Sequence, residues 1–159
     1  MESFDLNIHL LADRLDWVPL LASWFYEEWG QNWPELTLLD YQDQFTSRLN
    51  RDRFPLAVVA SLDGVPVATT SLKLHEMDIY PQYSHWLGGV YTLPEYRRRG
   101  FGAQTIEAAV QQAVRLGATE LYLYTRHSMA LYDRLGWVTI ERPVYRGREV
   151  ILMKRILLK

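Results

Sequence analysis

The sequence predicts a mixed α/β fold: a mostly antiparallel, twisted sheet with a central parallel strand pair and helices on both faces. Three observations carry this. Runs rich in β-branched residues flank a turn signal, as at Asp63-Gly64 within PLAVVASLDGVPVATTSLKL, and imply antiparallel neighbours. A strand–helix–strand passage runs from HWLGGVYT to ELYLYT and implies a parallel pair. Helical periods stand before and between the strands. The 159 residues suit one domain over 1–159 with a sizeable core.

The elements follow in chain order. FDLNIHLL alternates as a first strand does. In DWVPLLASWFYEEW, Trp17, Leu20, Leu21, Trp24 and Phe25 form one helical face. Asp16 is placed to cap it, Pro19 sits in its first turn, and Gly30 is a stop. A second helix starts at Thr37 as N-cap, with Asp40 three residues on and a stripe of Leu38, Tyr41, Phe45 and Leu49. The hairpin around Asp63-Gly64 precedes a polar loop, Glu76 to Ser84. HWLGGVYT is a strand whose paired glycines, Gly88 and Gly89, predict a bulge or a close approach. The clearest helix buries Ile106, Ala109, Val110, Ala113 and Val114 and ends at Gly117. ELYLYT is a strand, SMALYDRL a short helix closed by Gly136, and the last hairpin turns at Arg146-Gly147.

Composition narrows the function classes. A net charge of -2 gives no basic face of the kind a nucleic-acid binder uses. The absence of cysteine removes disulfides, thiolate metal sites and a cysteine nucleophile. The histidines show no HxxxH or HExxH spacing, so no metal site is expected. No basic leader or long apolar run appears, so no membrane association and a cytoplasmic location are expected.

The chemistry concentrates in LPEYRRRGFGAQT. A helix start presents unpaired N–H groups and the positive end of its dipole, and glycines let a bulky anion approach. Arg97, Arg98 and Arg99 add cations suited to phosphate. The stretch lacks the Gly-Lys-Ser/Thr of a P-loop. It also lacks the third glycine and the acidic strand end of a dinucleotide fold.

VYTLPEYRRRGFGAQTIEAAV resembles motif A of the GCN5-related N-acetyltransferases (GNAT), with Arg97, Gly100 and Gly102 at the matching positions. ALYDRLGW, Ala130 to Trp137, resembles the same family's motif B. The pair in order, separated by one strand, is far more specific than either alone. The resemblance covers nearly the whole chain and implies an acetyl-CoA-dependent N-acetyltransferase. It implies that the loop from Arg97 to Ala103 binds the pyrophosphate of acetyl-CoA. It implies that Val90, Tyr91 and Thr92 pair through their main chain with the pantetheine arm, and that Tyr132 is the general acid. The family more often has Val at the position of Thr92. Many members also carry an Asn ahead of motif B, where this chain has only Thr125 or His127 to serve.

No general base stands out among Glu28, His75, Glu76, His85 and His127. Trp29, Trp33 and Tyr145 are candidates to line an acceptor pocket for a small-molecule amine or a peptide N-terminus. An exposed last strand leaves a homodimer open. Two other readings stay open at this point: a non-catalytic coenzyme A-binding sensor or interaction module, and a binder of nucleotide phosphates.

Overall fold

The computed structural model describes residues 6–157. The strands are β1 (Leu6–Leu10), β2 (Leu56–Leu62), β3 (Val65–Lys73), β4 (Trp86–Thr92), β5 (Glu120–Thr125), β6 (Val138–Glu141), β7 (Val144–Tyr145), β8 (Arg148–Glu149) and β9 (Ile151–Ile156). The helices are α1 (Val18–Trp29), α2 (Leu38–Thr46), α3 (Phe101–Arg115) and α4 (Met129–Arg134). The main sheet has the order β1-β2-β3-β4-β5-β9-β6. Every pairing in it is antiparallel except β4 with β5. β7 and β8 form a separate small hairpin turning at Arg146-Gly147.

Alternation along β2 explains why helices cover both faces. Leu56 and Val58 point into a core with Ile106, Ala109 and Val110 of α3 and with Tyr132 and Trp137. Ala57 and Val59 point the other way, into a core with Leu21, Trp24 and Phe25 of α1 and Phe45 of α2. A strand with both faces covered loses its polar face, and six of the seven β2 residues are buried.

Local signals set several boundaries. Thr37 and Asp40 make a reciprocal capping box, with Thr37 N–H donating to Asp40 at 2.8 Å and Asp40 N–H donating to Thr37 Oγ1 at 3.2 Å. Asp63 and Gly64 both have positive φ, 52° and 83°, as a two-residue hairpin turn requires. At the end of α3, Ala118 N–H reaches Ala113 C=O and Gly117 N–H reaches Val114 C=O, both at 3.0 Å. This is a Schellman stop with Gly117 left-handed at φ 85°.

Elsewhere the structure corrects the sequence expectations. Asp16 pairs with Arg14 and does not cap α1, which starts without a side-chain cap. Leu20, Leu38 and Val114 are exposed, because the sheet covers a narrower arc of each helix than their periodicity allows. The loop 74–85 is not simply polar. Met77 and Tyr80 are buried, and Tyr83 stacks on Tyr122 with centroids 4.2 Å apart. β9 is not an edge strand: it lies between β5 and β6, so the edges are β1 and β6. Its backbone is occupied on both sides, which removes it as the strand for pairing between subunits.

Candidate functional site

Two features of β4 shape the centre of the molecule. The first is a bulge. β3 pairs Ser71 with Gly88 and Thr69 with Tyr91, so one residue of β3 faces two of β4. Gly89 absorbs the distortion at φ 57°, and the predicted bulge is therefore present. The second is a parting of strands. β4 meets β5 in register only at Trp86 and Tyr122. Among the described residues no further register joins them, so the β5-facing edge of β4 beyond that point is left as a gap in the ladder.

β4 then runs into the glycine loop. Leu93 N–H holds the strand end to Val67 C=O at 3.0 Å, and Pro94–Tyr96 form a single tight turn. Arg98 takes a left-handed φ of 67° and Gly100 one of 82°. That second turn aims the chain into α3, whose first intrahelical bond is Gln104 N–H to Gly100 C=O at 3.0 Å. No side chain caps this helix, so the N–H groups of Gly102 and Ala103 lack an intrahelical acceptor. A Cβ at Gly102 would stand 3.0 Å from Thr92 Oγ1. Glycine there lets the helix start press against the end of β4.

A cleft of about 370 Å³ lies against this helix start. It is lined by Thr92, Tyr96, Arg97, Arg98 and the helix start from Gly100 to Ala103, and by Leu131, Arg134 and Leu135 of the α4 region. Arg134 was missed by sequence reasoning. It stands two residues after Tyr132 in the motif B stretch, and a cation at the end of a short helix was the only signal for it.

The arginines divide their tasks. Arg97 Nε donates to Thr92 C=O at 2.8 Å, its guanidinium lies over the Tyr91 ring, and one Nη is 3.8 Å from Glu28. Its side chain therefore braces the loop as well as bordering the cleft. Arg98 is exposed at the cleft, and Arg99 lies over Tyr96. Tyr91 is buried among Trp24, Phe25 and Trp29, and its main chain pairs with Thr69 of β3, so the expected main-chain contact to a pantetheine arm falls to its neighbours Val90 and Thr92. Val90 packs partly buried on the α3-side core.

Tyr132 lies on the same helix as the cleft wall. Its ring packs edge-on to Trp137 at 6.1 Å and is 6% exposed. Burial pushes its hydroxyl up to about 12. Its oxygen is not among the sealed, unpartnered polar atoms, which are Tyr41 Oη, Thr70 Oγ1 and Trp137 Nε1 among the described residues. Thr125 Oγ1 accepts from Ser128 N–H at 3.1 Å and so shapes the turn into α4, while His127 is exposed.

The opposite face carries the proposed acceptor residues. Trp29 is half-buried and packs edge-on to Phe25 and Tyr91. Tyr145 is buried in a second aromatic cluster, edge-on to Tyr124. Arg146 lies over the ring of Trp33 at 5.0 Å and links the α1–α2 connection to the β7–β8 hairpin. Of the five candidate bases, Glu76 stands against the bulge: a Cβ at Gly88 would meet its carboxylate at 2.6 Å. Glu76 also pairs with Lys73 at 2.8 Å.

Comparison with known proteins agrees with this arrangement. The profile of the Acetyltransferase (GNAT) family matches residues 17–137. No curated protein is a significant match. Among solved structures, aminoglycoside 6'-acetyltransferase type Ii superposes with a TM-score of 0.77 at 15% identity, covering 96% of this chain and 98% of that one. The Salmonella typhimurium protein yncA, solved with its cofactor acetyl-CoA, gives 0.69 at 15% identity over 96% and 94%. An acyl-CoA N-acyltransferase from Pseudomonas aeruginosa gives 0.63 at 23% identity over 96% and 99%. These likenesses are to the fold, and the family profile spans both the glycine loop and the motif B helix. With the profile spanning residues 17–137, well over half of its length, the chain belongs to the GNAT acetyltransferase family.

Proposed function

We propose that the protein is an acetyl-CoA-dependent N-acetyltransferase that acts on a primary amine by direct attack on the thioester. One observation carries the reading. The uncapped start of α3 faces a cleft shared with α4, at the end of a strand whose neighbouring edge is open. A pyrophosphate fits the helix start, where N–H groups and the dipole favour an anion. Arg98 and Arg134 add charge across the cleft. The open edge of β4 suits an extended arm that pairs with the main chain of Val90 and Thr92, as an added strand does. Bound there, acetyl-CoA supplies the acetyl group as an activated thioester.

The protein's own groups have distinct tasks. The bulge at Gly89 turns main-chain N–H groups of β4 toward the gap, where the oxyanion of acyl transfer needs donors. Glu76, fixed by Lys73 beside Gly88, takes the ammonium proton through water and passes it to solvent. The amine nitrogen then bonds the carbonyl carbon and loses its second proton to solvent as the carbon–sulfur bond breaks, and sulfur keeps the electron pair. Tyr132, at about 12, stays protonated at neutral pH. It is a weaker acid than a thiol of about 8.5, so it stabilises the departing sulfur by donating a hydrogen bond, and solvent supplies the final proton.

Thiol release measured with acetyl-CoA and a panel of amines tests the proposal. Release that requires both reactants is expected. Tight acetyl-CoA binding without acceptor-dependent release would overturn it in favour of a coenzyme A sensor.

A further inference from the structure

The proposed mechanism uses Glu76 and its pairing with Lys73 but leaves the second cationic neighbour, Arg48, without a task. Arg48, just past the end of α2, is 7% exposed. Its Nη1 donates to Ser71 Oγ at 3.1 Å, and its guanidinium lies over the Phe45 ring at 4.9 Å. Both partners are uncharged. Lys73 stands on the same face of β3 as Ser71 and pairs with Glu76, both side chains being about one-fifth exposed (21% and 18%). Arg48 and Lys73 both feel Glu76, and they repel each other. Burial lowers Arg48 to about 10, so it remains a cation at neutral pH.

The paired glycines hold this group against the bulge. A Cβ at Gly88 would fall 2.6 Å from Glu76 Oε2 and 3.5 Å from Lys73 Nζ. One at Gly89 would fall 3.4 Å from Arg48 Nη1 and 3.4 Å from Ser71 Oγ. Two cations and one carboxylate thus meet a strand stripped of side chains. The nearby charges at the hairpin, Arg146 and Asp78, offset each other. The local balance is one positive charge in excess.

A buried guanidinium that serves structure alone is normally paired with an anion, because an unpaired buried charge is costly. Here Glu76 is the carboxylate that acts on both cations, and its ion pair is with Lys73, so among the described residues one anion is shared by two cations.

We propose that the acceptor is an amino-acid-like molecule, a primary amine that also carries a carboxylate, and that Arg48 and Lys73 hold that carboxylate at the Gly88-Gly89 bulge. This rests on the acetyl-transfer reading and names its substrate class. The charge arithmetic fits the reacting species. The free-amine form of such an acceptor, and its N-acetyl product, each carry one negative charge and cancel the excess. The same cations favour loss of the ammonium proton. A polyamine or another polycation is repelled.

Two measurements test this. The first compares kcat/KM for thiol release with phenylalanine, leucine and glutamine against phenethylamine, isoamylamine and 4-aminobutyramide, with spermidine as a polycation. The carboxylate-bearing amines are expected to be favoured by at least ~30-fold, the loss typical when one partner of a buried charge pair is removed. Arg48→Met should erase most of that preference and leave the affinity for acetyl-CoA unchanged, while Arg48→Lys retains part of it. Lys73→Met should act in the same direction. Equal or faster turnover of the carboxylate-free or polycationic amines by the unmodified protein overturns the proposal while leaving acetyl transfer intact, and needs no variant to fold. The second measurement is calorimetric binding of the N-acetyl amino acids to the protein–coenzyme A complex, against the N-acetyl amines. If no amine is turned over but N-acetyl amino acids bind in an Arg48-dependent way, the carboxylate site stands and the transfer reading fails. If neither turnover nor such binding is seen, both fall.

Discussion

Replacing Gly102 with valine separates backbone approach from side-chain charge at the glycine loop. A Cβ at this position would already meet Thr92 Oγ1 at 3.0 Å, tighter than ordinary van der Waals contact. Valine adds two methyl groups to that gap, so the first turn of α3 must shift away from the end of β4. Each charge-assisted hydrogen bond from an N–H to phosphate contributes about 1.5–3 kcal/mol. Losing one weakens binding by roughly 10- to 150-fold. Arg98→Ala removes a cation that is exposed at the cleft. Such a contact is worth about 0–1 kcal/mol, at most ~5-fold. Calorimetric titration with coenzyme A at physiological salt measures both losses, and thermal melts report the fold. The double variant Thr92→Ala, Gly102→Val makes room for the methyl groups on the protein side. It should recover melting temperature without recovering affinity. A larger loss from Arg98→Ala than from Gly102→Val would refute the reasoning. Full recovery of affinity in the double variant would also refute it, because Gly102 would then serve packing alone.

Three more outcomes are expected. Tyr132→Phe should lower kcat by about 10- to 100-fold with little change in the KM for acetyl-CoA; steady-state rates from pH 6 to 10 should show no alkaline limb from Tyr132, whose hydroxyl sits at about 12. The same shift makes a stability statement: the folded value is raised above the unfolded 10.0, so the stabilisation is complete below pH 10 and is lost as pH rises toward 12. Urea unfolding at pH 9 and pH 11 should show a loss of about 1.4 kcal/mol from Tyr132, absent in Tyr132→Phe. Thr37→Ala removes one half of the capping box at α2 and should cost about 1 kcal/mol, or roughly 2–4 °C in melting temperature.

The legible parts of this protein were those governed by local backbone chemistry. Thr37 with Asp40, Asp63-Gly64 and Gly117 each fix a boundary through hydrogen bonds or a φ sign that neighbours in sequence determine. The Gly-x-Gly loop was legible for the same reason, since a strand, a left-handed Gly100 and a helix start are consecutive. Helix faces were less so. Leu20 and Val114 fit the helical period yet lie outside the arc the sheet covers, which only tertiary packing decides. Aromatic residues of the loop 74–85 read as polar surroundings because their partners, Tyr122 and Glu141, are distant in sequence. The gathering of Arg48, Lys73 and Glu76 at Gly88-Gly89 was not visible either. It depends on the β3–β4 register, the bulge and the end of α2 together. Arg134 reached the cleft through the placement of α4 against α3, again a long-range fact.

The central claim is that an acetyl group passes from acetyl-CoA to the nitrogen of a primary amine in this cleft. Mass spectrometry of the reaction with isotopically labelled acetyl-CoA tests it most directly. A labelled N-acetyl amine formed in equal amount to the free thiol is expected, with strongly reduced formation in Tyr132→Phe. Thiol released without labelled amide, or labelled amide formed equally fast by Tyr132→Phe and Gly102→Val, would contradict it.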